Sequence, residues 1–255
     1  MGTGFFVKFL PQRFQLALRS AFAVVLIACW LIAASFMVVL SPPVTHFLAE
    51  ATVQSEGSIH SHDYLVSIAD ATRSFSLGND KASIPVGDDE RTSFTPKVIS
   101  HLLDVRTVFI GAIVFFAGVS LMLVLYVVFA LCKPKQCGEQ AHSSQQGLRP
   151  SRLGFELMVG GLVPLVLCVV LACVGALAFN VLFTWMHNIF FSAGTWTFSY
   201  DSLLIRALPT NFWMGCGLVW ALALIAFCLA SIGLGVLLKR RSSKIPPKDA
   251  TKNAA

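Results

Sequence analysis

Four long apolar stretches, at residues 21–40, 107–132, 157–186 and 207–238, contain no charged side chain, and this constrains the chain more than any other feature. A hydrocarbon core of roughly 30 Å takes about 20 helical residues to cross. Lipid offers no partner to backbone N–H and C=O groups, so such stretches must close their hydrogen bonds internally as helices. The expected fold is therefore an all-α membrane protein with four transmembrane helices. Composition agrees, with 13% charged and 56% hydrophobic residues, because an ordinary soluble domain carries about twice that charged share. The third and fourth stretches exceed one crossing and are expected to include interfacial residues. The first is expected to be retained, since its apolar core is too long for a signal peptide and Ser41-Pro42-Pro43 is a poor cleavage site.

Orientation follows from the basic residues. Three Lys or Arg precede the first span, four lie between the second and third, and six follow the fourth, which places both termini in the cytoplasm. Ten of the 13 acidic residues fall on the other side. The net charge of +6 is thus a topology signal, and no nucleic-acid partner is expected. The expected plan is an interfacial amphipathic segment at 1–20, spans at 21–40, 107–132, 157–183 and 211–238, and a small mixed extracytoplasmic subdomain at 41–106. A cytoplasmic loop at 133–156, an extracytoplasmic aromatic interfacial segment at 184–210 and a basic cytoplasmic tail at 239–255 complete it. The seven cysteines lie in spans or on the cytoplasmic side, where disulfides do not persist, and none has zinc-site spacing.

Within 41–106, Tyr64, Leu65, Ile68 and Phe75 have the spacing of a short amphipathic helix, and Ala82 to Val86 suggests a short extended piece. Thr95-Pro96 predicts a helix start, with Thr as N-cap, that runs through His101 into the second span. No internal repeat and no ionisable group deep in a span is evident, which removes the usual marks of transporters and proton pumps. The density of aromatic residues from Phe183 to Tyr200 belongs at headgroup level.

Two histidines stand out. His101 and Asp104, three apart, share one face of a helix, where a carboxylate could hold one imidazole nitrogen and leave the other as a base. His187 closes the third apolar run, so the two could face each other across the bundle. A histidine near its ordinary pKa of about 6.5 can take and give protons at neutral pH. On spacing alone, either could also be an interfacial side chain that caps or snorkels. His60 and His62 lie in a Ser-rich loop and are expected to be solvated, and no metal motif, GxSxG or phosphate-binding Gly loop is present.

The run His101-Leu102-Leu103-Asp104-Val105-Arg106 resembles the His-Met-x-Asp-Val-Lys/Arg signature of the lipoprotein intramolecular transacylases. Their second signature, Phe-His-x-x-Phe-Phe-Pro-x-Gly-Asn-Trp-x-Phe, is similar to His187 through Phe198, followed here by Asp201-Ser202-Leu203-Leu204-Ile205 and Pro209-Thr210-Asn211-Phe212-Trp213. Leu102, Ser192, Thr195 and Trp185-Met186 depart from the pattern but spare both histidines. The resemblance implies a multi-pass enzyme of the bacterial plasma membrane with its active site on the extracytoplasmic face. It would move the sn-2 acyl chain of a diacylglyceryl-lipoprotein to the α-amino group of its N-terminal cysteine, giving the lyso form. His101 and His187 would be catalytic, with Asp104, Arg106 and Asn188 supporting, and no cofactor or metal would be needed. The partners would be the lipoprotein substrate and membrane lipids. Two other readings are a non-catalytic scaffold of an envelope complex and a phospholipid acyl hydrolase or acyltransferase.

Overall fold

The computed structural model describes residues 11–131 and 150–243. Seven helices follow in order among them: α1 (Gln12–Val39), α2 (Pro42–Thr52), α3 (His62–Ser76), α4 (Pro96–Leu131), α5 (Pro150–Phe190), α6 (Leu203–Ala207) and α7 (Thr210–Ser243). Four of them, α1, α4, α5 and α7, are long and apolar enough to cross a membrane. Their outward faces carry bare aliphatic side chains such as Leu177, 89% exposed, a surface that water would not tolerate but lipid does.

Several boundaries differ from expectation. Helix α1 already begins at Gln12, so residues 12–20 continue the span's helix instead of forming a separate segment, while the expected aromatic and basic run at 5–10 lies outside the described residues. Ser41 and Pro42 separate α1 from α2 as proline chemistry dictates, with Pro at the first turn of α2. The fourth apolar stretch, 207–238, is divided: Ala207 ends the separate α6, and α7 starts after Pro209, close to the expected span at 211–238. Helix α5 departs from helical geometry at Ala178 (φ −149°, ψ 50°). The piece at 82–86 makes no strand; a single bridge pairs Val86 with Phe94, and no strand occurs among the described residues.

The chain divides into two compact units. The first comprises Met1–Ile32, Ala117–Leu167 and Ile225–Ala255. Helices α5 and α7 meet here through glycines: a Cβ on Gly154 would stand 2.6 Å from the Gly235 carbonyl oxygen, and one on Gly235 2.5 Å from that of Gly154. Small residues let helix backbones approach where no hydrophobic force drives association. The same unit buries a full carboxylate just before the third charge-free stretch, at a position expected to close the cytoplasmic loop. Glu156 has no exposed surface and accepts from Ser20 Oγ (2.8 Å), Arg152 Nε (3.1 Å) and Tyr126 Oη (3.3 Å). Arg152 also donates to the Leu16 carbonyl, so one network ties α1, α4 and α5.

The second unit comprises Ala33–Phe116 and Cys168–Leu224. Its core joins Leu48 of α2, Leu65 and Ile68 of α3, Val98 of α4, Leu203 of α6 and the wholly buried Phe94. Helix α3 forms where the spacing predicts, capped by Ser61 accepting from the Tyr64 N–H, and Leu65 and Ile68 lie in its buried stripe with Ala69 and Thr72; Phe75 is half-buried, and Tyr64, expected on the apolar face, is exposed. Thr95 departs from its expected capping role. Its hydroxyl is buried without a partner, and only its carbonyl takes part, accepting from the Ile99 N–H. Removing one partner of a buried ionic network leaves the others uncompensated. Glu156→Ala is accordingly expected to destabilise the protein by about 3 kcal/mol, measured as a lower thermal unfolding midpoint in detergent micelles; an unchanged midpoint contradicts the role given to Glu156.

Candidate active site

The second unit brings His101 and His187 together. His101 stands in the second turn of α4, on the stripe that also buries Val98 and Leu102. His187 stands in the last turn of α5. Each is 7% exposed. Their rings stack with centroids 6.2 Å apart and planes inclined by 24°.

Aromatic side chains box the pair. Phe191 packs edge-on to His101 at 4.8 Å and lies 5.4 Å from His187. Phe198 lies 5.5 Å from His101, while Phe183 and Trp196 close on His187 at 4.0 and 4.7 Å. Phe183, His187 and Phe191 are spaced four apart, so one helical face and its continuation supply three members. Gly194, at φ +83°, makes the turn that brings the chain back. Lys97, one turn before His101, then holds the returning segment: its ammonium donates to the Thr197 carbonyl at 2.7 Å and lies 5.2 Å from the Phe198 ring centroid. Trp213 flanks Phe183 at 6.3 Å, its own N–H bound to the Leu208 carbonyl.

The hydrogen bonds give the two imidazoles different roles. Nδ1 of His187 lies 2.9 Å from the Phe183 carbonyl oxygen. A carbonyl can only accept, so Nδ1 must carry the proton, and in the neutral ring Nε2 is left with the lone pair. His101 has no such anchor, and its Nδ1 is buried without a partner.

None of the supporting residues expected from sequence makes a hydrogen bond to either imidazole. Asp104 is exposed and makes no hydrogen bond to His101. Three residues on, it is rotated by about 60° from His101 toward the side away from Leu102. Arg106 binds Asp80 at 2.7 Å and the Phe75 carbonyl at 3.0 Å, with its guanidinium 4.3 Å from the Phe75 ring centroid. It therefore secures α3 to α4. Asn188 is exposed beside His187. The aromatic walls were legible only as headgroup-level residues. Trp185, Phe190 and Tyr200 are indeed bare, whereas Phe183, Phe191, Trp196 and Phe198 turn in, and the four-residue spacing about His187 is the signal that marks two of them.

The other described histidines do structural work. His60 donates to the Arg91 carbonyl at 2.9 Å and stacks on Tyr64, and His62 donates to the Glu50 carbonyl at 3.0 Å, so neither is simply solvated. His46 lies 2.7 Å from Asp70 and 3.7 Å from Glu50.

Fold and site together define a multi-pass, all-helical membrane protein built around a buried histidine pair. The chain belongs to the lipoprotein intramolecular transacylase family Lit, whose sequence profile matches residues 21–213, and its class is therefore that of a membrane acyltransferase. It is similar to the in meso structure of the membrane-integral lipoprotein intramolecular transacylase Lit from Bacillus cereus, with a TM-score of 0.68 at 14% identity, covering 91% of this chain and 99% of that one. Two further structures of the Bacillus cereus protein, with one histidine replaced by arginine or by alanine, match with TM-scores of 0.63 and 0.66 at 16% and 14% identity. They cover 91% of this chain and 96% and 97% of theirs. Comparison with curated protein sequences yields no match.

The His46 contact carries a pH dependence. The hydrogen bond and charge of Asp70 raise the His46 pKa above 6.5. A raised folded-state pKa contributes stability that is complete below the unfolded value and is lost as pH rises through the folded one. The thermal midpoint of the wild type relative to His46→Gln is expected to be higher at pH 6 and to lose that advantage by pH 9; a difference independent of pH contradicts the ion pair.

Proposed function

We propose that this protein transfers the sn-2 acyl chain of a diacylglyceryl-lipoprotein to the α-amino group of the same N-terminal cysteine, with His101 and His187 as general acid and base. The observation that carries the reading is the stacked, buried pair at 6.2 Å in a chain of this family. The excess of Lys and Arg in the segments at both ends and between α4 and α5 supports cytoplasmic termini and a site on the extracytoplasmic face.

The α-amino group, with a pKa of about 7.7 to 8, is mostly an unreactive ammonium at neutral pH. His187 suits the base, because its Nδ1–H is held by the Phe183 carbonyl and its Nε2 presents the lone pair. That nitrogen takes the amine proton, and the amine attacks the ester carbonyl carbon. A C–N bond forms and leaves an extra proton on the nitrogen. His101 takes that proton and returns it to the sn-2 glycerol oxygen as the bond from that oxygen to the carbonyl carbon breaks, so amide and hydroxyl form with the first proton left on His187. The exposed position of Asp104 favours a two-histidine mechanism over a carboxylate-oriented triad. Both reacting groups sit on one molecule, so proximity supplies a high effective concentration. The ester becomes an amide, a downhill exchange that calls for no nucleotide or cofactor.

The test is mass spectrometry of a lipoprotein's N-terminal peptide from cells lacking N-terminal acylation. Cells with the intact protein should yield the N-acyl, monoacylglyceryl form; His101→Ala and His187→Ala, each stably inserted, should lower it by at least about 100-fold. Persistence of the diacylglyceryl form with well-expressed wild type would favour a scaffold or an enzyme acting on phospholipid esters, and silent histidine variants would remove the pair from the mechanism.

A further inference from the structure

Acyl transfer through a tetrahedral intermediate places negative charge on the former carbonyl oxygen, and that oxygen needs a hydrogen-bond donor fixed in advance. Neither Arg106, bound to Asp80 and Phe75, nor the exposed Asn188 is presented to the histidine pair. Five buried polar atoms in the described residues lack a partner: Gln54 Oε1, Thr95 Oγ1, His101 Nδ1, Arg106 Nη2 and Trp196 Nε1. Only two of these belong to rings of the aromatic box, and one of the two is His101 itself.

The other is Trp196, whose ring lies 4.7 Å from that of His187. An indole N–H can only donate, and a buried one ordinarily finds an acceptor. In this chain the Trp30 N–H donates to Ser120 Oγ at 3.0 Å and the Trp213 N–H to the Leu208 carbonyl at 3.2 Å. Trp196 is thus a free donor held against the proposed base, and the chain invests in holding it there. Gly194 turns the backbone at φ +83°, and Lys97 fixes the carbonyl of Thr197, the next residue.

We infer that the indole N–H of Trp196 is the donor that binds the substrate's ester carbonyl oxygen and stabilises the oxyanion formed as the amine adds to it. This assignment rests on the transacylase reading given above. It makes Trp196 a catalytic residue and Lys97, acting through the Thr197 carbonyl, a positioning residue. The N–H is buried, so the segment turning at Gly194 must shift when the ester enters.

The experiment uses the full-length protein in nanodiscs with a synthetic diacylglyceryl lipopeptide bearing a free N-terminal cysteine. Trp196 is replaced by 3-benzothienylalanine, which keeps the ring size and substitutes sulfur for the N–H, and in parallel by Phe. Loss of one oxyanion donor lowers kcat by about 100-fold or more; this is expected for both replacements, with KM within about threefold of the wild type. A non-hydrolysable lipopeptide with a phosphonate at the sn-2 position, which mimics the oxyanion, should bind the benzothienyl variant about 100-fold more weakly. Trp185→Phe, on the exposed face, should be unaffected. Wild-type kcat in the benzothienyl variant overturns the inference, and a loss confined to Trp196→Phe reduces Trp196 to packing. In either case an inactive His101→Ala leaves the transacylase reading standing. A wild type that acylates no lipopeptide overturns both.

Discussion

The ring contact between His101 and His187 is the interaction on which the rest of this architecture turns. Two imidazoles can share a nearly water-free site only if their surroundings hold both rings and leave nitrogens able to exchange protons. The chain meets the first demand with four aromatic side chains and the second with a single backbone acceptor, the Phe183 carbonyl. The elements that carry the pair, early α4 and late α5, are in turn seated in a unit whose core is contributed by α2, α3, α4, α6 and the start of α7. Arg106 and Lys97 secure neighbouring segments to α4 on either side of His101 in sequence, one through Asp80 and Phe75 and the other through Thr197.

The two units solve different problems. The first packs helices by close backbone approach at Gly154 and Gly235 and by one buried carboxylate network around Glu156. No buried side-chain atom of that network lacks a partner, as a low-dielectric interior requires. The second unit leaves His101 Nδ1 and Trp196 Nε1 unsatisfied in the aromatic box. Unpaired buried donors and acceptors are costly, and the presence of two such nitrogens on rings of the histidine box is the pattern of a site that binds a polar group there.

Much of this was legible from sequence and some of it could not be. Charge-free stretches of span length define the four long helices, because lipid admits no other backbone solution. The amphipathic stripe of α3 and the proline break at Pro42 follow from local chemistry. The pairing of His101 with His187 was reached from two motifs, since residues 86 apart show no periodicity in common. Asp104 misled because a three-residue spacing permits contact without requiring it, and its side of α4 is exposed. Glu156 was hidden for the same tertiary reason: its partners Ser20 and Tyr126 lie 136 and 30 residues away. Composition places Trp196 with the other headgroup-level aromatic residues and cannot tell which of them turn inward.

The most direct test of intramolecular transfer by this site is a crossover measurement on the purified protein. Two lipopeptides that differ in peptide mass are mixed, one carrying a deuterated sn-2 acyl chain and the other an unlabelled one, and the products are weighed by mass spectrometry. The account predicts that deuterium appears as an N-terminal amide only on the peptide that began with it, with no free fatty acid formed. Deuterated acyl chains on the other peptide, or released as fatty acid, would contradict it.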